Sequence, residues 1–216
     1  VITDVDQTRL DRARSIFTPE DAKAQGVNLE YVNTSSGNPI EDLRAFTDGK
    51  GYDDVFVFAP VAPLDEQASG LLGFNGCLNF FAGPSKPDFG ARINFYDVHY
   101  SGHHIVGSSG GNTEDMVEAL DLMSRGRLNP AVMITHVGGL DCAAETILNL
   151  PNIPGGKKLI YTNISMPLTA LEDFGNRGTQ DPVFEKLAEI TARHTGLWSV
   201  EAEEYLLANA KPISAS

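Results

Sequence analysis

The 216-residue sequence predicts an α/β fold, a doubly wound parallel sheet followed by a C-terminal helical extension. Three observations carry that reading. Short apolar runs alternate with segments of helical spacing, the pattern that successive βα units require. Residues 54–59, Asp-Val-Phe-Val-Phe-Ala, are apolar almost without interruption, as in a strand covered on both faces. Beyond Pro167 the strand-like runs stop, and two helical patterns follow.

Residues 1–4 read as the end of a strand, and residues 7–16 as a helix on the spacing of Leu10, Ala13 and Phe17. Thr18-Pro19-Glu20-Asp21 supplies an N-cap, a proline at the first helical position and acids in the first turn; Gly26 stops that helix. Residues 27–32 form a strand pattern and 40–46 a helix, and the 54–59 strand leads into a helix over 62–72. Residues 76–82 make the next strand, 84–90 a Pro/Gly/Ser loop and 103–107 a further strand. In the helix expected over 113–124, Met116, Val117, Leu120 and Met123 have the spacing of one buried stripe. Residues 131–135, a helix over 140–148 and residues 157–161 after Gly155-Gly156 complete the block. Residues 181–194 and 199–207 then read as an α-hairpin joined around Gly196.

Composition excludes several partners. With 29 Asp+Glu against 16 Lys+Arg, the formal charge is -13 and the pI about 4.7. Nucleic acid needs a basic face to neutralise its phosphates, and an anionic membrane surface needs the same, so neither is expected as a partner. No apolar run is long enough to span a bilayer. Two cysteines, Cys77 and Cys142, are too few for a disulfide scaffold, which favours a reduced, cytoplasmic setting. The sequence opens on Val1-Ile2-Thr3-Asp4, as though inside a strand, without Met, basic n-region or apolar h-region. No signal peptide is expected, and a preceding segment is.

Local motifs are individually weak. Asp4, ending the first strand, suits hydrogen bonding to a ribose diol; a turn-starting strand-end Asp is the plainer alternative. Gly107-Ser108-Ser109-Gly110-Gly111 lies between a strand and a helix, where backbone amides can meet a phosphate or carboxamide, although such glycines also occur without a ligand. His99, His103 and His104 invite a metal, but no carboxylate or cysteine stands at ligand spacing, so solvated or hydrogen-bonded histidines around Ser101-Gly102 are the better reading. Thr135, His136 and Asp141 fit capping at a strand–helix change, and no Gly-x-Ser-x-Gly, His-Glu-x-x-His or P-loop occurs.

Taken in order, these pieces form a specific set. Asp4, Tyr52–Val57, Gly76-Cys77-Leu78-Asn79-Phe80-Phe81-Ala82-Gly83, Ile93-Asn94-Phe95, Val98-His99-Tyr100 and Ile105-Val106-Gly107-Ser108 come first. Glu118-Ala119-Leu120-Asp121-Leu122-Met123, Gly126-Arg127-Leu128-Asn129-Pro130, Ile134-Thr135-His136 and Gly155-Gly156-Lys157 follow. The set resembles the coenzyme-binding half of the zinc-type medium-chain alcohol and polyol dehydrogenases. Within that family it is similar to the longer members acting on sugar phosphates or polyols, of the L-sorbose 1-phosphate reductase type.

The resemblance implies an incomplete Rossmann domain over residues 1–163, without its first strand and glycine-rich turn, and a helical extension over 164–216. A catalytic zinc domain is expected upstream. Zinc and NAD, rather than NADP, are the implied cofactors. Asp4 would hold the adenosine ribose, Ala59 and Pro60 would border the cofactor cleft, Ala82 and Gly83 would lie near the nicotinamide, and Gly107 and Ser108 would offer backbone groups to its carboxamide. No catalytic or metal residue is assigned here. The implied activity is hydride transfer between the nicotinamide and a secondary alcohol or ketone of a polyol or sugar phosphate, in a homo-dimer or homo-tetramer. A non-catalytic dinucleotide-binding module is the alternative, and another kind of doubly wound nucleotide binder a remoter one.

Overall fold

Local capping chemistry sets the helix starts. Asp6 accepts from the Thr8 amide and opens α1 (Gln7–Ile16), and Thr18 accepts from the Asp21 amide and opens α2 (Pro19–Ala24). The same device recurs near the other end, where Asp181 caps α9 (Pro182–Arg193) and Ser199 caps α10 (Val200–Asn209). The computed structural model describes residues 1–213; the last three residues of the expected extension lie outside the described residues. The chain divides into two compact units, residues 1–113 and the part from Glu114 onward. The expected domain boundary at 163/164 falls inside the second unit.

The first unit is built of parallel pairs. Strand β1 (Ile2–Asp4) pairs with β2 (Tyr31–Asn33) in the register Ile2↔Tyr31, Thr3↔Val32 and Asp4↔Asn33. After α3 (Pro39–Ala45), strand β3 (Tyr52–Val57) pairs with β4 (Leu72–Phe80), and β4 with β5 (His104–Gly107), all parallel. Helix α4 (Ala62–Leu71) makes the crossover from β3 to β4. Its Ala68 packs with Val57, Leu72 and Leu78 as a small buried core, with Val55, Leu64 and Phe80 around it. The two sheets are not hydrogen-bonded to each other. A cavity of about 270 Å³ lies where β1 faces β3, lined by Val1, Ile2 and Thr3 on one side and Val55, Phe56 and Phe58 on the other.

In the second unit α6 (Thr113–Ser124) precedes β6 (Ile134–Gly139), α7 (Ala143–Asn149) and β7 (Lys157–Tyr161). Strand β6 is central, parallel to β7 and antiparallel to the short β8 (Thr169–Ala170). Helix α8 (Phe174–Gly178) and the α9–α10 hairpin then close over this sheet. Val137, Phe174, Leu187 and Leu206 have no solvent-exposed surface, and each buried side chain of this kind contributes about 1.5–3 kcal/mol. Gly196, at φ 75°, turns the hairpin as expected.

The fold is therefore the expected class, a doubly wound parallel α/β core followed by helices α8 to α10. Several details differ. Strand β3 is not covered on both faces: α4 packs on the side of Val55 and Val57, and Phe56 stays 56% exposed on the other. The stripe on α6 is likewise uncovered, with Leu120 63% exposed, because no core cluster of the described residues meets it. Residues 27–30 run irregularly into β2, and residues 130–133 form a 3-10 turn before β6. Helix α5 (Phe95–Tyr100) and strand β8 were not expected; α5 is six residues long and rich in β-formers, and β8 is too short to show a period.

Candidate functional site: the carboxyl ends of the parallel strands

Because β3, β4 and β5 are parallel neighbours, the residues that follow them emerge along one sheet edge. Ala59 and Pro60 follow β3, Ala82 and Gly83 lie just beyond β4, and Gly107 ends β5 before Ser108.

 The register carries them together. Val57 pairs with Phe80 and Phe80 with Gly107, and the amides of Phe81 and Ala82 both donate to the Val57 carbonyl at 3.0 Å. Ala82 is buried, and the Ser108 hydroxyl donates to Asn79 Oδ1 at 3.3 Å.

Two features at this edge were missed by sequence reasoning. Phe58 and Phe81 meet edge to face, with ring centroids 5.6 Å apart, and form an exposed aromatic wall beside Ala59 and Ala82. The signal was the alternation of Phe56 and Phe58 with Val55 and Val57, which places the aromatic rings on one face of the sheet. The second feature is Asn79, whose side chain reaches the strand end through Ser108.

Asp4 belongs to the other sheet of the first unit. It ends β1, where Oδ1 accepts from the Asp6 amide at 2.9 Å and Oδ2 lies 3.4 Å from the Arg9 guanidinium. The bond from the Asp6 amide is that of a turn-starting aspartate at a strand end.

The remaining singled-out residues have local partners. His104 hydrogen-bonds Asn75 Oδ1 at 3.1 Å, and His99 sits edge-on to Tyr100. His136 Nδ1 is 2.9 Å from the Thr135 hydroxyl; burial first, then the nearby Lys158 charge, holds its pKa below the usual histidine value. Asp141 caps no helix. It accepts from the Ser165 hydroxyl at 2.6 Å and the Met166 amide at 3.0 Å, tying the turn after β6 to the segment before β8.

Comparison with known proteins decides the family. The zinc-binding dehydrogenase family matches residues 1–125. The chain belongs to that family. It is 53% identical over 208 residues to mannitol-1-phosphate 5-dehydrogenase of Aliivibrio fischeri, covering 96% of this chain and 49% of that protein. It is 45% identical over 214 residues to L-sorbose 1-phosphate reductase of Klebsiella pneumoniae, covering 99% of this chain and 49% of that protein. The zinc-binding dehydrogenase family is thus confirmed, while the narrower L-sorbose 1-phosphate reductase type is not singled out. The chain spans about half the length of these curated relatives. An alcohol dehydrogenase zinc-binding domain protein from Burkholderia ambifaria shares the fold, with a TM-score of 0.59 at 17% identity over 76% of this chain and 41% of that one.

Zinc and a nicotinamide dinucleotide, the cofactors that the sequence resemblance implies, fit this chain differently. Among the described residues no three His, Cys, Asp or Glu side chains come together as metal ligands, so these residues do not fit zinc. The strand edge does fit a dinucleotide. A Cβ added at Gly83 would meet nothing within 4 Å, and one at Gly107 would meet only the Phe80 carbonyl at 3.6 Å, so the backbone there is open to close approach.

Proposed function

We propose that this chain supplies the dinucleotide-binding part of a nicotinamide-dependent oxidoreductase, and that alone it is a binding module without a catalytic centre. The observation that carries this reading is the common edge formed by Ala59-Pro60, Ala82-Gly83 and Gly107-Ser108, since open parallel sheets bind ligands outside the carboxyl ends of their strands. In this reading Asp4 accepts from the adenosine ribose hydroxyls and repels a 2′-phosphate, which favours NAD over NADP. Ala59 and Pro60 border the cleft, Ala82 and Gly83 flank the nicotinamide, and Gly107 and Ser108 present backbone groups to its carboxamide. The bound dinucleotide supplies the hydride chemistry.

The whole protein, in the same proposal, is a zinc-dependent enzyme that interconverts a secondary alcohol and a ketone on a polyol or sugar phosphate. The names of the relatives from Aliivibrio fischeri and Klebsiella pneumoniae support that substrate class. Zinc would come from residues outside this chain, and the enzyme would work in the cytoplasm as a homo-dimer or homo-tetramer. Among the described residues no helix is long and apolar enough to cross a membrane.

The test is a titration of the chain with NADH, followed by nicotinamide fluorescence, beside a turnover assay with mannitol 1-phosphate and L-sorbose 1-phosphate. Saturable binding without turnover is the expected result. Turnover by the chain alone would overturn the module reading, and absence of any NADH binding would overturn the dinucleotide reading.

A further inference from the structure

The second unit contains a cavity of about 560 Å³ that the coenzyme reading does not use. Small-molecule sites fall in the range of roughly 300–1,000 Å³, with apolar walls and a few convergent polar groups. This cavity has that composition. Ile134, Leu159 and Trp198 give it apolar walls, and Asn129, His194 and Glu203 stand among them.

Glu203 is held in place by a chain of hydrogen bonds. Trp198 Nε1 donates to the Tyr161 hydroxyl at 2.9 Å, and Tyr161 in turn donates to Glu203 Oε2 at 2.5 Å. Burial and this carboxylate raise the Tyr161 pKa, so the phenol keeps its proton at neutral pH and remains the donor. A carboxylate fixed through one oxygen has the other pre-oriented for a ligand. The imidazole in the wall is committed elsewhere, because His194 Nε2 pairs with Glu201 Oε2 at 3.0 Å. The lining therefore offers a fixed negative charge on apolar walls, which rejects anions and suits a cation.

We propose that this cavity binds a primary ammonium group carried on an apolar body, with Glu203 as its anchor. The apolar body takes the place of water against Leu159, Ile134 and Trp198, and the ammonium donates to Glu203.

Trp198 is the single tryptophan of the chain and lines the cavity, so its fluorescence reports occupancy. The probes are benzylammonium, its uncharged counterpart benzyl alcohol, and benzoate. Saturable quenching by benzylammonium at a concentration about tenfold or more below that needed for benzyl alcohol, with none by benzoate, is expected. Glu203→Gln keeps an acceptor for Tyr161 and should bring the amine down to the level of the alcohol. Equal binding of amine and alcohol overturns the proposal, as does absence of saturable quenching by the amine. The comparison of probes needs no variant, so a variant that folds poorly leaves the test intact. A folded Glu203→Gln chain that binds the amine unchanged also overturns it.

Discussion

The Arg9 guanidinium lies 3.4 Å from the carboxylate of Asp4, the acid that ends β1. The Arg9 side chain is 72% exposed, so the pair adds little to stability. A bare carboxylate repels a phosphate, whereas an arginine beside it attracts one. Asp4→Ser should therefore weaken NADH binding and strengthen NADPH binding, shifting their ratio by about tenfold. Fluorescence titrations with both dinucleotides check this, and an unchanged ratio would remove Asp4 from the discrimination.

Asp65 gives a pH prediction. It lies buried in the first turn of α4, and neither carboxylate oxygen has a hydrogen-bond partner. Burial raises its pKa in the folded chain above the ordinary aspartate value of 3.8. The folded state thus holds the proton more tightly than the unfolded one. That contribution to stability is fully present below the unfolded pKa and is lost as pH rises through the raised folded value. Asp65→Asn should be more stable than the parent at neutral pH by about 1–3 kcal/mol, with the gap closing toward about pH 4. Thermal melts across that range provide the measurement; a constant gap would rule the titration out.

Leu187 has no exposed surface and sits in the core shared by β6, α8, α9 and α10. Leu187→Ala should destabilise the second unit by about 2–5 kcal/mol. Urea unfolding followed by Trp198 fluorescence reads that unit directly, and a midpoint within error of the parent would contradict the packing.

Gly51 has φ 84°, and a Cβ there would lie 2.6 Å from both the Gly73 amide nitrogen and the Leu72 carbonyl oxygen. Gly51→Ala combines a left-handed backbone with a backbone clash where β3 meets the start of β4, and should cost more than about 1 kcal/mol. Gly26→Ala shares the positive φ but has open space, so it separates the two effects by its smaller loss in thermal melts.

Much of this fold was legible because its signals are local. The caps at Thr18, Asp181 and Ser199 and the turn at Gly196 act over a few residues, and the helices stand where those residues place them. Burial was less legible. An apolar pattern records what a face can bury, not what packs against it, and Phe56 and Leu120 stand exposed. Helix α5 had a readable start, since Asn94 accepts from the Tyr96 amide and donates to Asp97, but Phe, Tyr and Val within it favour a strand. The places of Asp4, Gly83 and Gly107 at or just beyond strand ends were legible in the sequence, whereas the Arg9 contact and the Phe58–Phe81 wall depend on geometry that residue order does not show.

The parallel pairing of β1 with β2, and of β3 with β4 and β5, has a kinetic consequence. Each pair closes only after its whole crossover has folded back, so these ladders carry the entropy of long loops. The α9–α10 hairpin meets no such delay, because a short turn at Gly196 brings its helices together. In a refolding experiment the C-terminal hairpin should gain hydrogen-exchange protection first, and the strand ends that carry Asp4, Ala82 and Gly107 should gain it last.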